Sequence, residues 1–177
     1  MATVRTRVKD ADYMKVGNAY EFMGTGFTQL DDEPAASMKS KRYINMVSEV
    51  QSVSGYAWSA PFTLDMIESE KAIALIAKIG KQELTGSDTE VDYVKVDLSG
   101  TPDSSQTSKG YPARHRTVAI EVASFDDSDG EIEGSGNLHA KSDWDYGWFN
   151  TTTKTFTADA DAAANFVYAA TLAAPSV

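Results

Sequence analysis

The most regular pattern along the chain lies in its second half. Residues 131–141 alternate: Ile132, Gly134, Gly136, Leu138 and Ala140 share one side, and Glu131, Glu133, Ser135, Asn137, His139 and Lys141 the other. That period of two predicts a strand with one buried face. RTVAIEVASF (116–125) places Val118, Ile120 and Val122 on one face in the same way. Asp126-Asp127-Ser128-Asp129-Gly130 joins the two runs, and Asp-Gly between alternating segments is a hairpin signal. From residue 91, Val94, Val96 and Leu98 oppose Tyr93, Lys95 and Asp97. Two shorter runs, 146–150 and 154–157, flank a TTTK turn. The period changes once. Over 65–80, Ala72, Leu75, Ile76 and Ile79 recur at helical spacing. Asp65 and Glu68 are the expected capping pair and Gly80 the expected stop.

The first half is less regular. Residues 13–27, with glycines 17, 24 and 26, read as one bent strand or two short ones, and 43–53 are β-rich. TQLDDEPAASMKSKR (28–42) reads as a long loop with acids at one end and bases at the other. A second polar loop covers 99–112. The order β–β–α–β–β–β–β predicts a mainly β fold with one flanking helix, an antiparallel β-sandwich or open barrel. Residues 1–12 read as an N-terminal arm, 13–159 as one β-domain and 160–177 as an alanine-rich tail that is helix, docked arm or disorder.

Composition narrows the function. The chain has 177 residues, 16 Lys+Arg against 26 Asp+Glu, and no cysteine. Its formal charge of -10 would repel nucleic acid and anionic membrane surfaces. The absence of cysteine removes disulfides, thiolate zinc sites and a cysteine nucleophile. No apolar run is long enough for a membrane span, and the start lacks a signal-peptide core. Residues 126–177 hold 9 acids and only 2 bases, so one region of the fold should be acidic.

The search for chemistry finds no catalytic set, metal site or cofactor motif. With Gly130 as the sixth position of a calcium loop, Phe125 and Gly136 would fall at the first and twelfth positions, where neither can ligate. His115 and His139 lack a third metal ligand, and the GSG at 134–136 lacks the spacing of a nucleophile elbow. The patch Asp143-Trp144-Asp145-Tyr146-Gly147-Trp148-Phe149 suits a core edge or a subunit interface. The alternative function is a carbohydrate-binding β-sandwich that stacks sugars on Trp144, Tyr146 and Trp148.

Several stretches together resemble the major tail tube proteins of siphoviruses, the phages with long non-contractile tails. They are EFMGTGFTQLDDEP (21–34), SKRYINMVSEVQSVSGYAWSAPFTLDMIESEKAIALIAKIGK (40–81), TGSDTEVDYVKVDL (85–98), VAIEVASFDDSDGEIEGSGNLHAKSD (118–143) and FNTTTKTFTAD (149–159). The resemblance implies a structural virion protein, not an enzyme. Its subunits form hexameric rings that stack into a hollow tube around a tape measure protein. The tube meets a tail terminator and a baseplate or distal tail protein. It is made in the host bacterial cytoplasm, ends in the phage tail, and lets DNA pass at ejection without specific binding. By the same resemblance, ring stacking falls to Leu30, Asp31, Asp32, Lys39, Lys41 and Arg42. The acidic lumen candidates are Asp127, Asp129, Glu131 and Glu133. Such a lumen repels phosphate.

Overall fold

A computed structural model describes residues 3–103 and 110–175; residues 104–109 of the expected 99–112 loop lie outside the described residues, as do the first two and last two of the chain. The chain is mainly antiparallel β. The strands are β1 (Asp10–Val16), β2 (Ala19–Phe22), β3 (Phe27–Leu30), β4 (Ala36–Lys41), β5 (Val50–Tyr56), β6 (Ser59–Asp65), β7 (Glu90–Asp97), β8 (Tyr111–Ser128), β9 (Glu131–Ala140), β10 (Asp145–Asn150) and β11 (Thr155–Ala158). The helices are α1 (Lys71–Lys81) and the short α2 (Val167–Ala173). The main sheet runs β2-β1-β7-β8-β9-β6-β3.

That order forces curvature. In a flat sheet the edge strands β2 and β3 would lie about 29 Å apart. The chain from Phe22 to Phe27 reaches at most about 18 Å. The sheet therefore curls into a half-barrel, and α1 packs against its concave side. The main core holds Met14, Tyr93, Val118, Ile120 and Leu138 from the sheet with Ala72, Ile73, Ile76 and Ile79 from α1. β10 and β11 fold over the convex side at one end. Phe149 and Phe156 there meet Ala11, Tyr13, Val94, Val96 and Ala113 in a second core. β7 thus packs on both faces, Tyr93 in the main core and Val94 and Val96 in the second.

Several sequence expectations change. The helix starts at Lys71, not at residue 65, because Asp65 closes β6 and a turn from Ile67 to Glu70 intervenes. Glu70 takes the N-cap position, without a side-chain cap. Gly80 lies inside α1. A Cβ there would meet Val122 and Phe125 at 2.7–2.9 Å, so this glycine serves close packing, not helix termination. Leu75 is only half-buried, whereas Ile73 is fully buried, because the curled sheet covers a wider stripe than the four expected positions. The expected loop 28–42 is mostly strand: it contains the end of β3 and all of β4. β5 begins at Val50, so 43–49 belong to the ribbon tip. β1 begins at Asp10, and the tail contains a 3-10 turn (Ala160–Asn165) before α2.

Candidate assembly surfaces

Half of the convex face is uncovered, and it is polar. Three strands present four cross-strand rows there: Ser59–His139–Ala119, Pro61–Asn137–Glu121, Thr63–Ser135–Ser124 and Asp65–Glu133–Asp126. A bulge between Val122 and Ser124 re-aims the end of β8. The Ser124 hydroxyl lies 2.9 Å from that of Ser135 and donates to Asp126 at 2.6 Å. His139 faces Glu121. In the last row, like charges stand directly opposite one another, a destabilising arrangement that solvent must screen. Of the four acids expected at a lumen, Glu133 and Glu131 lie on this face. Asp127 pairs with Ile132 and faces the α1 side, and Asp129 forms the turn. Sequence reading missed Glu121, Asp126 and Asp65; only the register aligns them.

β8 is longer than its partner on one side. Pairing with β7 ends at Glu90–Ala119, while pairing with β9 continues to Ser128–Glu131. The edge from Ile120 to Ser128 is therefore unpaired by strand on the β7 side among the described residues. Such an edge accepts a strand from elsewhere.

β4 and β5 form a separate two-stranded sheet. Every residue of β4 is exposed, and Met38, Tyr43, Ile44, Val47, Val53 and Tyr56 all show large apolar side chains to solvent. A lone two-stranded ribbon is marginal in water. Of the six expected stacking residues, Lys39 and Lys41 lie on β4 and Arg42 follows it. Leu30 is buried in the main core, and Asp31 accepts from Gln29 at 2.6 Å. Asp32 is held within its own subunit by the Trp58 indole N–H and the Arg114 guanidinium. The acidic end of that segment is thus tied to the body, and the basic end is free to project.

The aromatic patch is mostly internal. Trp148 and Phe149 are buried, and Trp148 donates to Asp159. Trp144 packs on Trp58, with Arg114 and Arg116 each 4.1 Å from its ring centre. Arg116 is buried, and its Nε and Nη1 lack hydrogen-bond partners; burial and then Arg114 lower its pKa. The aromatic faces of Trp58 and Trp144 supply its electrostatic contact. The sugar-stacking alternative loses its platform, since Trp148 has no free face and Trp144 is clamped by two guanidinium groups.

Other polar groups are also engaged. His115 stacks on Phe156 and lies 3.2 Å from Asp92. Asp12, nearly fully buried, accepts from the Tyr93 hydroxyl, Arg7 and Lys95. Burial, then Asp12, pushes the Tyr93 phenol well above its ordinary pKa. An open cleft of about 530 Å³ lies where the half-barrel fails to close, lined by Arg7, Asp12, Phe22, Met23, Phe27 and Leu30. Its central charges, Arg7 and Asp12, are spent on each other. Asp97 joins both chain ends: it accepts from Arg5 at 2.8 Å and from the Val167 N–H at 2.8 Å, as well as from Ser99 and Gly100. Burial alone would raise its pKa, but Arg5 and the N–H groups of Val167 and Ser99 hold it below the ordinary value.

No protein-family model and no curated protein matches this chain. Solved structures do, among them the following two. One, from the cryo-EM structure of the anti-feeding prophage baseplate, has a TM-score of 0.50 at 10% identity, covering 82% of this chain and 97% of that one. The other, from the SPP1 tail tube, has a TM-score of 0.53 at 12% identity, covering 77% of this chain and 76% of that one. The curled antiparallel sheet with its packed helix is thus a tail-tube-type fold, similar to that of the SPP1 tail tube and of the prophage baseplate chain.

Proposed function

We propose that this chain is a major tail tube subunit of a siphovirus-type phage. It is a structural virion protein whose copies form hexameric rings and stack them into a hollow tube. The observation that carries this reading is the pairing of a tail-tube-type fold with surfaces that a lone subunit leaves unfinished. The uncovered convex face is polar and acidic, an unpaired edge runs along half of β8, and an apolar-basic ribbon projects from the body.

In the tube, the open face of β6, β9 and β8 lines the lumen. Glu121, Asp126, Glu131 and Glu133 supply negative charge there, so phosphate is repelled and DNA slides instead of binding. Asp127 and Asp129 sit at the rim. Six copies of a -10 chain repel one another, and burial of the exposed apolar side chains together with strand pairing at free edges offsets that repulsion. Lys39, Lys41 and Arg42 make the stacking contact. The tube encloses a tape measure protein, ends at a terminator and a baseplate or distal tail protein, and is assembled in the bacterial cytoplasm. No cofactor, membrane or catalytic step enters this role.

Negative-stain electron microscopy of the purified chain over a range of concentrations tests it. Rings or hollow tubes are expected. A chain that stays monomeric, both alone and with its initiator complex and tape measure protein, would overturn the reading. Glu121→Lys with Glu133→Lys is expected to leave tubes intact and slow DNA ejection. Unchanged ejection would remove this face from the lumen.

A further inference from the structure

Two ribbons leave the body at opposite ends and carry opposite charge. The β4–β5 ribbon prolongs the β3–β6 pairing. Asp31 donates to Pro61, Glu33 and Ser59 exchange bonds, and Ala57 donates to Ala35 before Ala36 meets Tyr56. It departs from the Ser59 end of β6, the end paired with His139. The β8–β9 ribbon departs from the other end. β6 stops at Asp65 opposite Glu133, and the ribbon continues to the Asp129–Gly130 turn. From His139 to Glu133, β9 sets these exits about 20 Å apart.

The β4–β5 ribbon bears Lys39, Lys41 and Arg42 against the single acid Glu49. The end of β8–β9 bears Asp126, Asp127, Asp129, Glu131 and Glu133 and no base. Both ends also show unburied apolar side chains: Ile44 is 109% exposed and Val47 96% on the first, and Ile132 is 48% exposed on the second. Ile132 lies opposite Asp127, on the α1 side of its ribbon, away from the open polar face. The two ends of one copy point apart, so they complement each other only between copies. A contact between two different patches at opposite ends of a subunit repeats head to tail and does not close.

We propose that the β4–β5 ribbon of one copy docks on the β8–β9 end of the next copy along the tube. Lys39, Lys41 and Arg42 face Asp127 and Asp129, and Ile44 and Val47 cover Ile132. This deepens the tube reading and rests on it. It names the receiving surface and makes stacking directional, since each ring offers a basic end and an acidic end. Glu121, Asp126, Glu131 and Glu133, on the other side of the same ribbon, stay free for the lumen.

The chain has no cysteine, so Ile44→Cys combined with Ile132→Cys introduces the only thiols. Tubes of this variant are oxidised and run on a non-reducing gel. A ladder extending past six chains is expected. A ladder ending at six or fewer would place the contact within a ring and overturn the proposal, as would intact tubes without cross-links. If the cysteines themselves block assembly, charge exchange decides. Lys39→Glu/Lys41→Glu/Arg42→Glu and Asp127→Lys/Asp129→Lys are each expected to reduce tubes at least tenfold, and the chain carrying both sets is expected to restore them. Folded subunits whose combined variant stays unassembled, or single sets that assemble normally, would overturn it. These outcomes leave the tube reading intact, whereas failure of the native chain to form rings or tubes defeats both.

Discussion

The β8–β9 ribbon and the β4–β5 ribbon are both antiparallel pairs that run beyond the main sheet, and their surroundings differ completely. The first is anchored. Phe125 lies over Gly80 of α1 and beside Gly134, and a Cβ at Gly136 would strike the Glu121 carbonyl and Phe62. The second has no such support. A Cβ on Gly55 would meet nothing, and the apolar side chains of the ribbon face water. A ribbon packed by its own chain is explained by its own chain. A ribbon that exposes this much apolar surface is the mark of an interaction site, which the proposed tube fills with another copy.

Substitutions can break that contrast, and the largest effect belongs to the anchored ribbon. Gly136→Val should destabilise the subunit by about 3 kcal/mol in urea unfolding, since the new side chain has only backbone and Phe62 to enter. A loss below 1 kcal/mol would mean that β8 and β6 are free to part. Phe125→Ala should cost about 2 kcal/mol, less than a fully buried aromatic, because Phe125 is only half-buried. On the free ribbon, Ile44→Ser and Gly55→Ala should each change subunit stability by less than about 0.5 kcal/mol. Ile44→Ser should nevertheless impair assembly in sedimentation, which separates a folding role from a docking role.

The chain ends provide a third point of comparison, because one carboxylate holds both. Asp97 has a folded pKa below its unfolded value. Its stabilisation is therefore complete above the ordinary carboxylate value of about 4 and is lost as pH falls through the lower folded value. Asp97→Asn should flatten the acid limb of the stability profile and expose residues 3–9 and the α2 region to limited proteolysis at neutral pH. An unchanged digestion pattern would show that Phe166, buried beside Tyr146, holds the tail without Asp97.

What was legible in the sequence follows from local backbone geometry. Alternation marked β9 and the central part of β8. Asp129-Gly130 marked their turn, and both residues adopt positive φ, as a tight two-residue hairpin requires. Helical spacing located α1 and most of its buried stripe. The failures have physical causes too. Residues 28–42 looked like a loop because their strands bury almost nothing, so no alternation of apolar and polar residues could form. Asp65 looked like a cap because a carboxylate before an apolar run gives the same signal whether it starts a helix or ends a strand.

Charge sequence alone could not say which acids are free. Asp32 resembles Asp31 in the sequence, yet it is bound by Trp58, 26 residues away, and Arg114, 82 residues away. Asp97 reads as one polar position of a strand, and only folding brings Arg5 and Val167 to it. The sequence by itself determined the strands with one buried face, the turn between β8 and β9 and the position of the main helix, because periodicity is written in neighbouring residues. The tertiary structure decided which acids align across β6, β9 and β8, which edge of β8 stays open and which ribbon stands free, because register and burial depend on segments that meet only after the chain has curled.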